Sequence, residues 1–244
     1  MKYLLIDIGN TSVSLGVTKG KGIGLTRRSS HADLATTLRS LVKRHKPDRA
    51  LVCSVVPKVS RQIRSLLAKQ GITVFECGKQ VKIPVRNLYK KPKEVGQDRL
   101  INVYAVDHLY KKVRLVIDVG TALTFDFISA AGAYQGGLIF PGVSISLSSL
   151  LKTCALLPDK VTLKPTYVLE GKTTAQCISS GMTLGYSFLI RGLVEYIKGK
   201  RRDFKLLLTG GDCRILVKKI AKFDYVDIDL SLKGLNILRK TLVR

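Results

Sequence analysis

Apolar positions along the chain follow two rhythms. In one, a few apolar residues run together and stop at a charged residue and a glycine, as in Leu4-Leu5-Ile6-Asp7-Ile8-Gly9. Short bounded runs of this kind read as buried strands. In the other, apolar residues return every three or four positions. Leu34, Leu38, Leu41 and Val42 thereby fall on one face of a helix over residues 32–46. The same reading gives a strand over 49–56, a helix opened by Pro57 and running to residue 68, and a strand over 72–75. A helix over 98–110 carries Leu100, Val103, Ala105, Val106 and Leu109. Residues 174–198 form a long helical region with candidate breaks at Gly181 or Gly185. A buried strand over 205–209 runs into Gly210-Gly211, and a helix over 233–242 closes the chain. Alternation of the two element types predicts a mixed α/β protein, with one or two sheets flanked by helices.

One strand pattern occurs twice. Leu4-Leu5-Ile6-Asp7-Ile8-Gly9-Asn10-Thr11 is similar to Leu115-Val116-Ile117-Asp118-Val119-Gly120-Thr121-Ala122, and the aspartates stand 111 positions apart (118 less 7). Each copy is followed by a second β-rich run, over 12–17 and 123–128, which predicts a strand, a tight turn and a returning strand. A period this long is not that of a solenoid. It points to two duplicated domains, 1–112 and 113–244, with the boundary near 110–115.

Composition narrows the function classes. With 244 residues and 45% hydrophobic content, the chain can bury a full core. Asp7 interrupts the N-terminal apolar run, so no signal peptide is expected, and no uninterrupted run of about 18 apolar residues predicts a membrane span. Five scattered cysteines without a Cys-x-x-Cys pair argue against a zinc site or a disulfide framework. Buried reduced thiols and a cytoplasmic location are the expectation. His31, His45 and His108 have no metal-ligand spacing.

The net charge of +25 is spread over Arg27-Arg28, Lys43 to Lys46, Lys90-Lys91, Lys198 to Arg202 and Lys218-Lys219. No basic arm, zinc finger or aromatic RNA-binding signature accompanies it. It reads as a solvated basic surface that draws in small anions, ATP among them, and nucleic acid is not expected as a partner.

The two Asp-x-Gly turns carry the candidate chemistry. Glycine after a strand lets backbone N–H groups approach a phosphate, and Asn10, Thr11 and Thr121 add neutral donors. The aspartates suit a cation shared with phosphate oxygens. Taken singly, each turn could be an ordinary hairpin; the pair points to a nucleotide. Thr209-Gly210-Gly211 leaves room for adenosine. Between a basic loop and a helix stand Gly96-Gln97-Asp98-Arg99. Asp98 offers a general base beside a carboxylate-binding guanidinium, or else a plain helix cap. Gly171-Lys172-Thr173 looks like the tail of a P-loop, but Thr166 stands where that motif needs glycine, so the P-loop reading is rejected.

In order along the chain stand residues 7–11, Ser54-Val55-Val56-Pro57, Val95-Gly96-Gln97-Asp98-Arg99, residues 118–122, Gly136-Gly137-Leu138-Ile139-Phe140-Pro141-Gly142, Gly171-Lys172-Thr173-Thr174, Thr209-Gly210-Gly211 and Leu232-Lys233-Gly234-Leu235. Nearly end to end, this set resembles the type III pantothenate kinases, which open coenzyme A biosynthesis. The resemblance implies duplicated ribonuclease H-like domains of the actin-like ATPase kind, each a mixed sheet flanked by helices. It implies ATP as phosphoryl donor, Mg²⁺, a monovalent cation (K⁺ or NH₄⁺), pantothenate as acceptor and a homodimer. Asp7, Ile8, Gly9, Asn10, Thr11, Ser12, Val13 and Ser14 would form the first phosphate loop, with Asp7 near Mg²⁺ and Thr121 on ATP. Asp98 would be the base. Gly96, Gln97 and Arg99 would hold pantothenate, with Tyr89 as a wall and Thr174 reaching it across a dimer interface. Asp118 would bind the monovalent cation.

Gln97, Leu123 and Thr173 depart from the family's usual alanine, threonine and asparagine. Two other readings stay open: an accessory factor for transcription within the same sequence family, and a kinase for another small alcohol.

Overall fold

The computed structural model describes residues 1–201, 204–213 and 223–243. Arg202 and Lys218-Lys219 of the basic runs lie outside the described residues. Two five-stranded sheets organise the chain. In the first, β1 (Tyr3–Ile8), β2 (Ser12–Lys19), β3 (Gly22–Ser30), β4 (Arg49–Ser54) and β5 (Thr73–Glu76) lie in the order β3-β2-β1-β4-β5. In the second, β6 (Val113–Val119), β7 (Ala122–Ile128), β8 (Tyr134–Pro141), β9 (Lys205–Thr209) and β10 (Tyr225–Val226) lie in the order β10-β9-β6-β7-β8. Written in chain order the two arrangements are the same, which is the duplicated ribonuclease H-like fold. β1 pairs antiparallel with β2 and parallel with β4, while β6 pairs parallel with β9.

The chain divides into two compact units: Met1–Lys111 with Asp126–Gly136 and Asp229–Arg244, and Lys112–Phe125 with Gly137–Ile228. In the first unit, α1 (Leu34–His45) and α2 (Pro57–Ala68) cover one face of the first sheet. Leu34, Leu38 and Leu41 of α1 and Ile63 and Leu67 of α2 share a core with Leu4, Ile6, Ile8, Ala50 and Val52. The period-two alternation of β1 sends Leu5 and Asp7 to the opposite face. There α3 (Gln97–Leu109) packs against the C-terminal helix α6 (Leu230–Leu238). A Cβ on Gly234 of α6 would stand 2.6 Å from the Ile101 carbonyl oxygen of α3, so only glycine permits this approach.

The second unit contains α4 (Val143–Thr153) and α5 (Thr174–Lys200). The expected break in α5 is absent: the helix runs unbroken past Gly181 and Gly185. Each glycine costs about 1 kcal/mol of helix propensity. Burial of Ile178, Ile190, Val194 and Ile197 offsets that cost. An 18-residue window of α5 has mean hydropathy 1.2, so by length and composition this helix could cross a membrane. Of that window 39% is buried within the protein, and the helix's buried positions include Ser179, Ser180, Thr183 and Ser187.

β3, β8 and α4 carry too weak a pattern to have been predicted. β3 is an edge strand with nearly every position exposed, so no alternation marks it. The thiols correct another expectation. Cys154 and Cys177 are exposed, while Cys53, Cys77 and Cys213 are buried. Small apolar side chains tolerate either environment.

Gly234→Ala tests the α3–α6 contact. An exposed helical Gly→Ala change gains about 1 kcal/mol. Here the added methyl meets backbone, so the expected result is a loss of about 1–3 kcal/mol, read as a lower melting temperature. An unchanged or raised melting temperature would refute the close approach.

Candidate active site

The first phosphate-loop candidate is the β1–β2 connection. Asp7 and Ile8 end β1, Gly9 to Thr11 make the turn, and Ser12, Val13 and Ser14 begin β2. Gly9 N–H donates to the Ser12 carbonyl at 3.0 Å, closing the turn, and the Gly9 carbonyl meets His31 Nε2 at 2.9 Å. Asn10 and Thr11 are exposed. Asp7 is half-buried, and its carboxylate accepts from Ser231 Oγ of α6 at 2.6 Å.

Desolvation pushes the Asp7 carboxyl up to about 6; the Ser231 hydrogen bond and the Arg28 charge oppose this, and the Asp98 charge adds to it. Arg28 lies in the same transverse row, since Asp7 pairs with Ser14 and Ser14 with Arg28. A partly dehydrated carboxylate beside a second one is the donor set that a divalent cation relieves. Among the described residues no three His, Cys, Asp or Glu side chains cluster. That suits Mg²⁺ held by one or two carboxylates and the nucleotide itself.

Asp98 stands in the first turn of α3, where free N–H groups favour an anion. The N-cap is Gly96, and a Cβ there would collide with Asp98 Oδ1. Arg99 N–H donates to Asp98 Oδ1 at 2.8 Å. Burial raises the Asp98 carboxyl; that hydrogen bond and the Arg99 charge oppose the rise. Gln97 lies against Gly78, whose φ of +78° belongs to glycine.

Arg99 Nε donates to Asp126 Oδ1 at 2.6 Å, and its guanidinium lies 5.4 Å from the centre of the Tyr134 ring. Arg99 Nη2 is buried without a hydrogen-bond partner among the described residues. Tyr89, 38% exposed, sits 6.2 Å from Tyr134 between ring centroids. The first unit therefore gathers Asp7, Asp98, Arg99, Gly96, Gln97 and Tyr89.

In the second unit three segments converge. A Cβ on Gly142 would collide with the Gly120 and Thr121 carbonyl oxygens, and one on Gly210 would collide with Asp118 Oδ1 and the Val119 carbonyl oxygen. Asp212 N–H donates to the Val119 carbonyl at 2.9 Å, and Gly142 N–H to that of Thr121. The second Asp-x-Gly turn and the Thr209-Gly210-Gly211 turn are thus neighbours. Thr174 is exposed at the first turn of α5; Thr173 caps that helix, accepting from Gln176 N–H at 3.2 Å. Lys172 is exposed and its ammonium meets Glu170 at 3.5 Å, which agrees with rejecting a P-loop.

Sequence reading missed Ser231, Asp126 and Tyr134. Ser231 is 224 positions from its partner and carries no local signal. Asp126 had one: a carboxylate inside the apolar strand Leu123 to Ile128 needs a buried partner.

Asp7 gives a pH test on protein free of divalent cations. Its folded value, about 6, lies above the usual 3.8, so the folded state holds the proton longer and loses stability as pH rises from about 4 to 6. A rise of that size corresponds to roughly 3 kcal/mol. Asp7→Asn should therefore melt higher than wild type at pH 7.5, with the advantage gone near pH 4. A difference independent of pH would contradict the dehydrated carboxylate.

Comparison with known proteins identifies the site's family. The type III pantothenate kinase model matches residues 3–196. The type III pantothenate kinase of Persephonella marina is 36% identical, covering 94% of this chain and 95% of its own. That of Syntrophotalea carbinolica is 33% identical, covering 96% and 97%. A Baf family transcriptional activator structure from Campylobacter jejuni superposes with a TM-score of 0.58 at 19% identity, covering 98% of each chain, and at that identity shows the fold alone. With a family model over most of its length and relatives matched end to end, the chain belongs to the type III pantothenate kinases, ATP-dependent enzymes that phosphorylate pantothenate.

Proposed function

We propose that this chain phosphorylates pantothenate with Asp98 as general base and Arg99 as the grip on the acceptor's carboxylate. The observation that carries the reading is their adjacency in the first turn of α3: a carboxyl raised by burial, next to a buried guanidinium with an unused Nη2. A base whose pKa is lifted toward neutrality is better matched to taking a hydroxyl proton. Arg99 offers a planar set of donors to a carboxylate. Gly96, Gln97 and Tyr89 complete the acceptor's surroundings.

Backbone N–H groups and side chains from Asp7 to Ser14 hold the phosphates of ATP, and Thr121 adds a hydroxyl. Asp7 would hold Mg²⁺ with the nucleotide, and Asp118 a monovalent cation, K⁺ or NH₄⁺. Such cations neutralise phosphate charge, and positioning does the rest. The pantothenate primary hydroxyl attacks the γ-phosphorus as its proton passes to Asp98. The bond from phosphorus to the bridging oxygen breaks, and ADP leaves with that electron pair.

The protein works as a cytoplasmic homodimer in which Thr174 reaches the acceptor bound by the other copy. Ile139, Leu156, Leu169, Phe188 and Tyr196 of the second unit are all more than half exposed, and a second copy would cover such apolar surface. Neither a membrane nor nucleic acid takes part.

Incubation with pantothenate, ATP, Mg²⁺ and K⁺ should yield 4′-phosphopantothenate, and absence of product from folded dimer would reject the assignment. Asp98→Asn should lower kcat by roughly 100-fold or more; near-normal turnover would remove its role as base. Light scattering should give twice the chain mass, and Phe188→Glu should shift the equilibrium toward monomer. A wild-type monomer at micromolar concentration would exclude the shared site.

A further inference from the structure

Asp126 is an expensive residue for a strand interior. It is fully buried, on a stretch of β7 whose neighbours Phe125 and Ile128 are core. A buried ion pair is weak support for stability, since apolar residues of the same volume often serve as well or better. Its position therefore calls for a reason other than folding. The partner supplies one: Asp126 Oδ1 takes the Nε–H of Arg99 at 2.6 Å.

A guanidinium is planar and rigid, so holding one edge and one face fixes the whole group. Asp126 holds the Nε edge. The Tyr134 ring, 5.4 Å from the guanidinium carbon, holds a face. Tyr134 is itself anchored: its N–H donates to the Arg86 carbonyl and its carbonyl accepts from Leu88 N–H, both at 2.9 Å. Burial and the charge of the nearby Asp126 carboxylate push the Tyr134 phenol up, which keeps the platform neutral. Nη2 is buried and without a partner among the described residues.

We propose that Asp126 is the positioning residue of the acceptor site: it clamps Arg99 by Nε on the Tyr134 platform, so that Nη2 points at the carboxylate of the incoming acceptor. Asp126 touches no reacting atom. It acts through Arg99, and it also neutralises the guanidinium while the site is empty. Fixing the charged end of the acceptor fixes where its hydroxyl end falls relative to Asp98. This inference rests on the reading of Arg99 as the carboxylate grip.

Steady-state kinetics of wild type, Asp126→Asn, Arg99→Gln and the double variant decide it. Asp126→Asn should raise the pantothenate KM about tenfold or more while the ATP KM stays within about twofold. The double variant should have the pantothenate KM of Arg99→Gln alone, because Asp126 has nothing left to clamp. If Arg99→Gln leaves the pantothenate KM unchanged, the reading of Arg99 fails. If Arg99→Gln raises it but Asp126→Asn does not, or moves both KM values together, the positioning role fails. Should Asp126→Asn not fold, the comparison of the double variant with Arg99→Gln still decides: equal pantothenate KM values support the clamp, and a further rise in the double variant overturns it.

Discussion

Dehydration of two carboxylates governs the first unit. Asp7 ends the central strand and Asp98 opens α3; burial raises both, and the charge on Asp98 raises Asp7 further. A chain selected for stability alone would not bring them together. What makes the arrangement tolerable is a set of partial compensations: the Ser231 hydroxyl, the helix N-terminus under Asp98, and the charges of Arg28 and Arg99. None cancels the deficit, so the pair of carboxylates favours a nearby cation and resists further anions. That is the electrostatic state in which phosphoryl transfer depends on cations for charge neutralisation.

The compensation also dictates topology. Ser231 belongs to α6, the last helix of the chain, which packs beside α3 and over β1. Gly234 lets α6 approach the backbone of α3 closely enough for Ser231 to face Asp7. The C-terminal segment thus counts with the first unit because it packs on α3 and β1, not because of its place in the sequence.

The repeated strand-turn-strand was legible because each copy compresses its signal into eight residues, with alternation, charge and glycine together. Helices α1 and α2 were legible from their apolar spacing, and Pro57 marked the start of α2. Edge strands were not: β3 presents almost every side chain to solvent, so its sequence has no periodic constraint to display. The long-range partners were invisible for a different reason. Nothing near Ser231 records that its partner 224 positions away is charged, and the carboxylate of Asp126 within an apolar strand signals a buried partner without saying that it stands 27 positions away. Family likeness named Arg99 but not what holds it. Of the three departures, Leu123 is explained by burial: its position is fully enclosed, where threonine would need a hydrogen-bond partner. Thr173 caps α5 as asparagine would. Gln97 fills space over Gly78, a glycine whose positive φ makes the turn possible.

The glycine turns and the Arg99 cluster are built on opposite physics. The turns of the second unit depend on missing atoms: Gly142 and Gly210 approach backbone carbonyl groups too closely for any side chain. The Arg99 cluster depends on atoms present and fixed: the Asp126 carboxylate at the edge of the guanidinium and the Tyr134 ring at its face. Its cost is a buried ion pair that stability alone does not require. Selectivity for one small acid among many anions needs that expense, because a positive field by itself attracts every anion alike. The overall charge of +25 draws anions of every kind toward the protein, whereas a fixed guanidinium with an unused Nη2 is a directional feature that field lacks.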